Sequence, residues 1–163
     1  MLTELIEAPR PRNYKDSVYT PEPIARLIVN EFKPTGRILE PCRGGGAFMR
    51  HLPAGTLWCE IDDGRDFFAF HEPVDWIVSN PPYSDFHRWL VHAFEISENV
   101  VYLVPFGKIF KSMNTVRTIY AWGGIVKALC FPARHAGFPF GFPCGAFHFR
   151  KGYTGPMEMR VLP

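Results

Sequence analysis

Short apolar runs alternate along this chain with segments of helical period, and the runs end on polar residues followed by glycine or proline. That alternation limits the fold more than any other feature. Strands separated by helices build a mostly parallel, doubly wound α/β sheet, and two successive apolar runs near the C-terminus add one antiparallel member. The clearest run, 74–79, empties into Asn80-Pro81-Pro82-Tyr83. Each proline fixes φ and removes a backbone donor, so the chain leaves the sheet there as a stiff, extended loop. Such a loop presents the Asn80 side-chain oxygen and the Pro81 carbonyl as convergent acceptors with the Tyr83 ring behind them. A planar substrate bearing an amino group suits that geometry.

The other elements follow from periodicity and punctuation. Residues 1–18 are rich in charge and proline and read as an irregular arm, leaving 19–163 as one domain. Thr20 caps a helix with Pro21 at its first position, and Ile24, Leu27, Ile28 and Phe32 recur at helical spacing until Pro34 and Gly36. Strands are expected at 37–41, 57–61, 74–79 and 100–104, with a helix opening near Met49 between the first two. Phe86, Trp89, Leu90, Ala93 and Phe94 share one helix face. A single helix is expected over 108–122, stopped by Gly123-Gly124. Strands at 124–131 and 146–153 then flank the Gly/Pro/Phe-rich loop 132–145.

With 163 residues the chain builds one well-buried core, and 47% hydrophobic with 21% charged residues excludes a disordered or fibrous class. A formal charge of +2 permits nucleic-acid binding without arguing for it. Cys42, Cys59, Cys130 and Cys144 lack the clustering of a zinc site and read as reduced thiols. Glu4 and Glu7 stand where a secretory signal needs apolar residues, and no run of about 18 apolar residues occurs. A soluble, cytoplasmic protein without membrane association is expected.

In doubly wound sheets ligands bind beyond the carboxyl ends of the strands. The first strand ends Glu40-Pro41-Cys42-Arg43-Gly44-Gly45-Gly46-Ala47-Phe48, where glycines let backbone approach a ligand. Phosphate-binding and purely structural turns look similar, although the missing Gly-Lys-Ser/Thr disfavours a P-loop. Glu60, ending the second strand in Trp58-Cys59-Glu60-Ile61-Asp62, stands where an acid can accept ribose hydroxyls; a solvated strand-end acid is the alternative.

Taken together, these segments resemble S-adenosylmethionine-dependent methyltransferases with the Asn-Pro-Pro-Tyr motif, notably those acting on adenine N6 in DNA. The resemblance runs over roughly 19–150 and implies a class I, Rossmann-like methyltransferase fold. By resemblance, Tyr19-Thr20-Pro21 corresponds to motif X, covering the methionine end of the cofactor. Glu40 addresses the methionine amino group, with Pro41, Cys42, Gly44, Gly46 and Phe48 completing motif I. Glu60 accepts the ribose hydroxyls, with Ile61 beside it at the cofactor. Asp66 accepts from the adenine amino group, and Phe67 or Phe68 packs on that ring or belongs to the core. Asn80, Pro81, Pro82 and Tyr83 form the catalytic loop, with Asn80 also at the cofactor.

Arg43 departs from the family pattern, and whether it holds the cofactor carboxylate or faces DNA stays open. Only five residues separate Glu60 from Asp66, too few for a helical crossover, so the sheet is expected to be reduced after its second strand. The resemblance implies a minimal, phage-like DNA adenine methyltransferase without a target-recognition domain. Its partners would be nucleic acid, DNA foremost, and a specificity-conferring protein or a second copy of the chain. RNA adenine, protein glutamine, or a non-catalytic cofactor- or nucleic-acid-binding role are the competing readings. The aromatic loop around Phe138, Phe140 and Phe142 offers either a second wall for the base or a cap on the core. Lys108, Lys111, Arg117, Arg134 and His135 are candidate phosphate contacts or a solvated face.

Overall fold

The computed structural model describes residues 18–134 and 136–162. Residues 1–17 of the expected arm, and His135, lie outside the described residues. The strands are β1 (Ile38–Glu40), β2 (Leu57–Trp58), β3 (Val74–Ser79), β4 (Ser97–Pro105), β5 (Gly123–Phe131), β6 (Cys144–Lys151) and β7 (Glu158–Val161). They form one sheet in the order β2-β1-β3-β4-β6-β5-β7. Pairing is parallel from β2 through β4 and between β5 and β7, while β6 runs antiparallel to both β4 and β5. The expected α/β sheet with one reversed strand is therefore the observed one.

Helices α1 (Glu22–Phe32), α2 (Phe86–Ile96), α3 (Phe106–Phe110) and α4 (Met113–Trp122) cover the sheet. Ile77, Val100, Tyr102 and Val104 pack with Leu90, Ile109 and Ile119 of the later helices. Val78, Val101 and Leu103 pack with Ala25, Ile28 and Val29 of α1. Successive residues thus serve opposite faces, and burial on both sides explains why β4 reads as an unbroken apolar run. In β5 a bulge between Ile125 and Lys127 shifts the alternation, so Ile125 and Ala128 face the same layer.

On the β2 side the sheet stops early. After β2 the chain makes two 3-10 turns, Ile61–Asp63 and Phe67–Ala69, and returns to pair β3 directly with β1. An antiparallel bridge between Glu60 and Arg65 closes the link. This is the reduction that the short Glu60 to Asp66 spacing implies.

Several local expectations differ. No helix forms near Met49: bonds from Arg50 N to Gly46 O and Leu52 N to Phe48 O make isolated turns that Pro53 ends, since its ring cannot continue a helix. The helix expected over 108–122 is two helices, with Ser112 accepting from Thr115 N to start α4. Pro21, not Thr20, is the cap residue of α1, and the Thr20 hydroxyl is engaged elsewhere. The edge strand β7 was not anticipated. It is fixed by Glu31 of α1, which pairs with Lys127 of β5 at 2.5 Å and Arg160 of β7 at 3.0 Å. All four cysteines are free thiols, and among the described residues no helix is long and apolar enough to cross a membrane.

Candidate active site

Two carboxylates stand side by side at the carboxyl ends of β1 and β2. Glu40 is fully buried, and its Oε1 accepts from Cys42 N at 3.0 Å and from the Ser79 hydroxyl. Its Oε2 is buried with no partner. Burial raises the Glu40 carboxyl to about 8, against the opposing pull of the Ser79 and Cys42 donors, and nearby Glu60 adds to the rise. The open Oε2 therefore suits a cationic donor, which would stabilise the carboxylate that the apolar surroundings disfavour. Glu60, also buried, accepts from Gly44 N at 2.7 Å and from Asp62 N at 3.3 Å. This ties the glycine turn to the end of β2. Gly44 has φ +50° and Gly46 φ +81°, and a Cβ built at Gly46 would meet nothing within 4 Å, so that face is open to a ligand.

Three segments remote in sequence meet at Asn80. Its Nδ2 donates to Val18 O at 2.9 Å and to Thr20 Oγ1 at 3.1 Å. A carbonyl only accepts, so the NH2 group must face Val18, and Oδ1 is turned the other way. That oxygen is buried with no hydrogen-bond partner. Tyr19, 68% exposed, lies over the glycine turn, its ring carbons 3.6–3.9 Å from where Cβ atoms of Gly44 and Gly45 would stand. Pro21 touches Gly137 of the aromatic loop in the same way, at 3.4 Å. The Tyr19-Thr20-Pro21 segment thus links the glycine turn, the Asn80 loop and the loop before β6.

Tyr83 is 8% exposed, and its hydroxyl is buried with no partner in hydrogen-bonding geometry. Burial pushes its phenol far above the ordinary range, against an opposing pull from the neighbouring Asn80 side chain, so the ring stays neutral. Phe140 meets it edge-on at 6.4 Å. From there a ladder of near-parallel rings runs both ways: inward through Phe138 to Phe131, and outward to Phe142, 4.1 Å from Phe140 with planes 6° apart. Pro81 is buried and Pro82 half-buried beside Asn80.

The remaining expected residues divide between accessible positions and the core. Cys42 is half-buried, Pro41 is buried at the end of β1, and Ile61 is 48% exposed beyond β2. Phe48 packs with Ala25 and Ile28 of α1, so it anchors the glycine turn from behind. Asp66 is half-buried and accepts from Phe68 N at 3.0 Å. Phe67 is 2% exposed, stacked on Trp89 at 4.9 Å and edge-on to His92 at 4.6 Å. Of the two rings offered for packing on adenine, it is therefore the core one, and the half-buried Phe68 carries Arg88 over its face. Arg43 pairs with Asp63 at 2.6 Å and rests on Trp58, whose other face takes Arg65.

Sequence reasoning missed Val18, Ser79 and His92. Ser79 is a hydroxyl at a fully buried strand position, which is a legible signal for a polar partner. Val18 acts through its carbonyl, which no side-chain pattern reveals. His92 Nε2 lies 3.1 Å from Phe67 O and 3.0 Å from Phe70 O, so it must carry the proton and donate to both. It pins the turn that carries Asp66.

No family model and no curated protein sequence matches the chain. Solved structures do match in fold. A candidate class I S-adenosylmethionine-dependent methyltransferase from Listeria monocytogenes superposes with TM-score 0.71 at 11% identity, over 94% of this chain and 68% of that one. The methyltransferase subunit of a type I restriction-modification system from Streptococcus thermophilus gives 0.68 at 16% identity, over 88% and 47%. A candidate RNA methyltransferase from Pyrococcus horikoshii gives 0.57 at 15%, over 80% and 82%. The fold is that of the class I methyltransferases, and the chain spans less than half of the restriction-modification subunit.

Proposed function

We propose that this chain is an S-adenosylmethionine-dependent methyltransferase that acts on the N6 amino group of adenine in DNA, with little sequence preference of its own. The orientation of Asn80 carries this reading: its NH2 is spent on Val18 O and Thr20 Oγ1, leaving a buried acceptor at the head of a proline-stiffened loop. A fold shared with the methyltransferase subunit of a type I restriction-modification system supports it.

Glu40 Oε2 would take the cofactor's ammonium group, the backbone around Gly44 and Gly46 would admit its carboxylate end, and Glu60, Ile61 and Asp66 would border its ribose and adenine. When bound, the cofactor supplies an electrophilic sulfonium methyl. The lone pair of an exocyclic adenine nitrogen is delocalised into the ring and is a poor nucleophile. Asn80 Oδ1 and Pro81 O, accepting the two amino hydrogens, would hold that nitrogen toward tetrahedral geometry and stabilise the positive charge growing on it. These dipoles are fixed before the reaction, so no strong base is needed at the outset. Tyr83 would stack on the base with Phe140 beside it. Sequence recognition, on this reading, comes from a partner protein or a second copy.

RNA adenine is the second reading, favoured by the fold match that covers four-fifths of both chains with a candidate RNA methyltransferase. Incubation with tritiated S-adenosylmethionine and, separately, DNA, RNA and protein tests the assignment. Label at N6 of DNA adenine, abolished in Asn80→Ala, is expected. Label confined to RNA selects the second reading, and label in protein glutamine, or none anywhere, rejects both.

A further inference from the structure

Charge is divided sharply along this chain. From 99 to 157 there is no Asp or Glu, while seven lysines and arginines occur; fifteen of the sixteen acids precede residue 99. The carboxylates at the proposed cofactor side, Glu40, Glu60 and Asp66, all belong to the acidic half. The acid-free half builds β4 from Asn99 on, α3, α4, β5, β6 and the loop between β5 and β6, which leaves β5 at the same end of the sheet as the Asn80 loop.

On that side three cations stand near exposed rings. Phe106 N, at the start of α3, donates to Pro143 O at 3.2 Å, which places α3 with Lys108 and Lys111 beside the end of the aromatic loop. The Arg134 guanidinium lies against Gly141, with Nε 3.1 Å from where a Cβ would stand. All three are exposed and pair with no carboxylate among the described residues. Phe142, which ends the ring ladder, is 47% exposed, and Phe110 on α3 is 45% exposed. Phe131 and Phe138 already cap the core; Phe142 extends the stack outward, toward solvent, from the ring that touches Tyr83.

We propose that this rim is a binding track for an unpaired strand of nucleic acid, with a base next to the target continuing the Phe140–Phe142 stack and the phosphates following Lys108, Lys111 and Arg134. The inference rests on the reading of the site as an adenine methyltransferase and narrows its substrate to single strands. In a duplex the faces of each base are covered by its neighbours, and extrusion of the target costs a few kcal/mol. An exposed ring beside exposed cations instead matches sequence-tolerant capture of single strands by stacking and phosphate attraction.

The test is fluorescence anisotropy on the full chain, without cofactor, using labelled oligonucleotides of about 12 nucleotides. The probes are a single DNA strand containing adenine, the same sequence as RNA, and the blunt DNA duplex. Single strands are expected to bind at least about tenfold more tightly than duplex, the better of DNA and RNA identifying the sugar. Phe142→Ala should weaken single-strand binding roughly tenfold, and Phe142→Trp should restore it. Arg134→Ala should flatten the slope of log affinity against log salt by about 0.7.

Equal or tighter duplex binding, or Phe142→Ala binding like the parent, overturns the proposal. Binding is read apart from transfer, so the two readings fail separately. Strand binding as described with no methyl transfer to any nucleic acid removes the methyltransferase reading alone. Transfer to duplex adenine that is indifferent to Phe142 removes the strand track alone.

Discussion

Asn80 and Thr20, sixty positions apart, are joined by a 3.1 Å hydrogen bond from the Asn80 amide to the Thr20 hydroxyl. With the second bond to Val18 O, it sets which end of the amide faces the cleft. Removing the hydroxyl leaves the orientation to one bond. We expect Thr20→Val to lower kcat for methyl transfer about five- to tenfold, the equivalent of one neutral hydrogen bond of about 1 kcal/mol. Thr20→Ser should keep near-parental activity, and thermal stability should move little in either. Equal kcat in Thr20→Val would mean that Val18 O suffices.

His148 should make the fold acid-sensitive in a defined window. Asn99 Nδ2 donates to Asp75 O at 3.3 Å, which turns Asn99 Oδ1 toward His148 Nε2, 2.9 Å away, so that nitrogen carries the proton. Burial, with some repulsion from Arg150, lowers the His148 imidazole to about 4 from 6.5. The unfolded chain therefore takes up a proton first as pH falls, and stability drains between pH 6.5 and 4, by on the order of 3 kcal/mol at most. His148→Gln keeps a donor without a titration. Urea midpoints at pH 7 and pH 4.5 should separate parent from variant, the parent losing more; equal losses refute the assignment.

The sheet was legible where both faces are buried and punctuation is strong. β3 and the start of α2 sit where apolar runs and the Asn80 to Tyr83 loop place them. What escaped depends on distant partners. β7 is exposed at every residue, so it shows no alternation, and it is held by Glu31 and pairing with β5. Thr20 has a capping residue's local signature, yet its hydroxyl goes to Asn80. The strand-end acids were readable from position, whereas the direction of the Asn80 amide is decided by a carbonyl 62 residues away.

His92 should act on the cofactor side without touching it. Its single Nε2 proton serves the carbonyls of Phe67 and Phe70, and its ring is 7% exposed. His92→Ala removes the imidazole donor from both carbonyls, leaving Phe67 O with only the Phe70 amide, and opens a cavity beside them. A loss of about 1–3 kcal/mol in stability is expected. If the turn carrying Asp66 also loosens, the KM for S-adenosylmethionine should rise while the affinity for nucleic acid stays level. A variant destabilised with KM unchanged would give His92 a purely structural role.

Glu40 sets stability against binding. Its carboxyl stays protonated up to about 8 in the folded chain, but ionises near 4.5 when unfolded. The folded state thus holds the proton longer, and stability falls as pH rises from 4.5 to 8. The loss is on the order of 5 kcal/mol at most. Glu40→Gln keeps an acceptor for Cys42 N and Ser79 and has no proton to lose, so its denaturation midpoint at pH 8 should exceed the parent's. The same change removes the carboxylate proposed for the cofactor ammonium. S-adenosylmethionine affinity should fall at least about tenfold, as for a lost charge-assisted hydrogen bond. In the parent, binding below pH 8 should release a proton, measurable as calorimetric enthalpies that differ between buffers of different ionisation heat. In the variant that release should vanish. A stabilised variant that still binds S-adenosylmethionine like the parent would remove Glu40 from the cofactor site while leaving the burial argument intact.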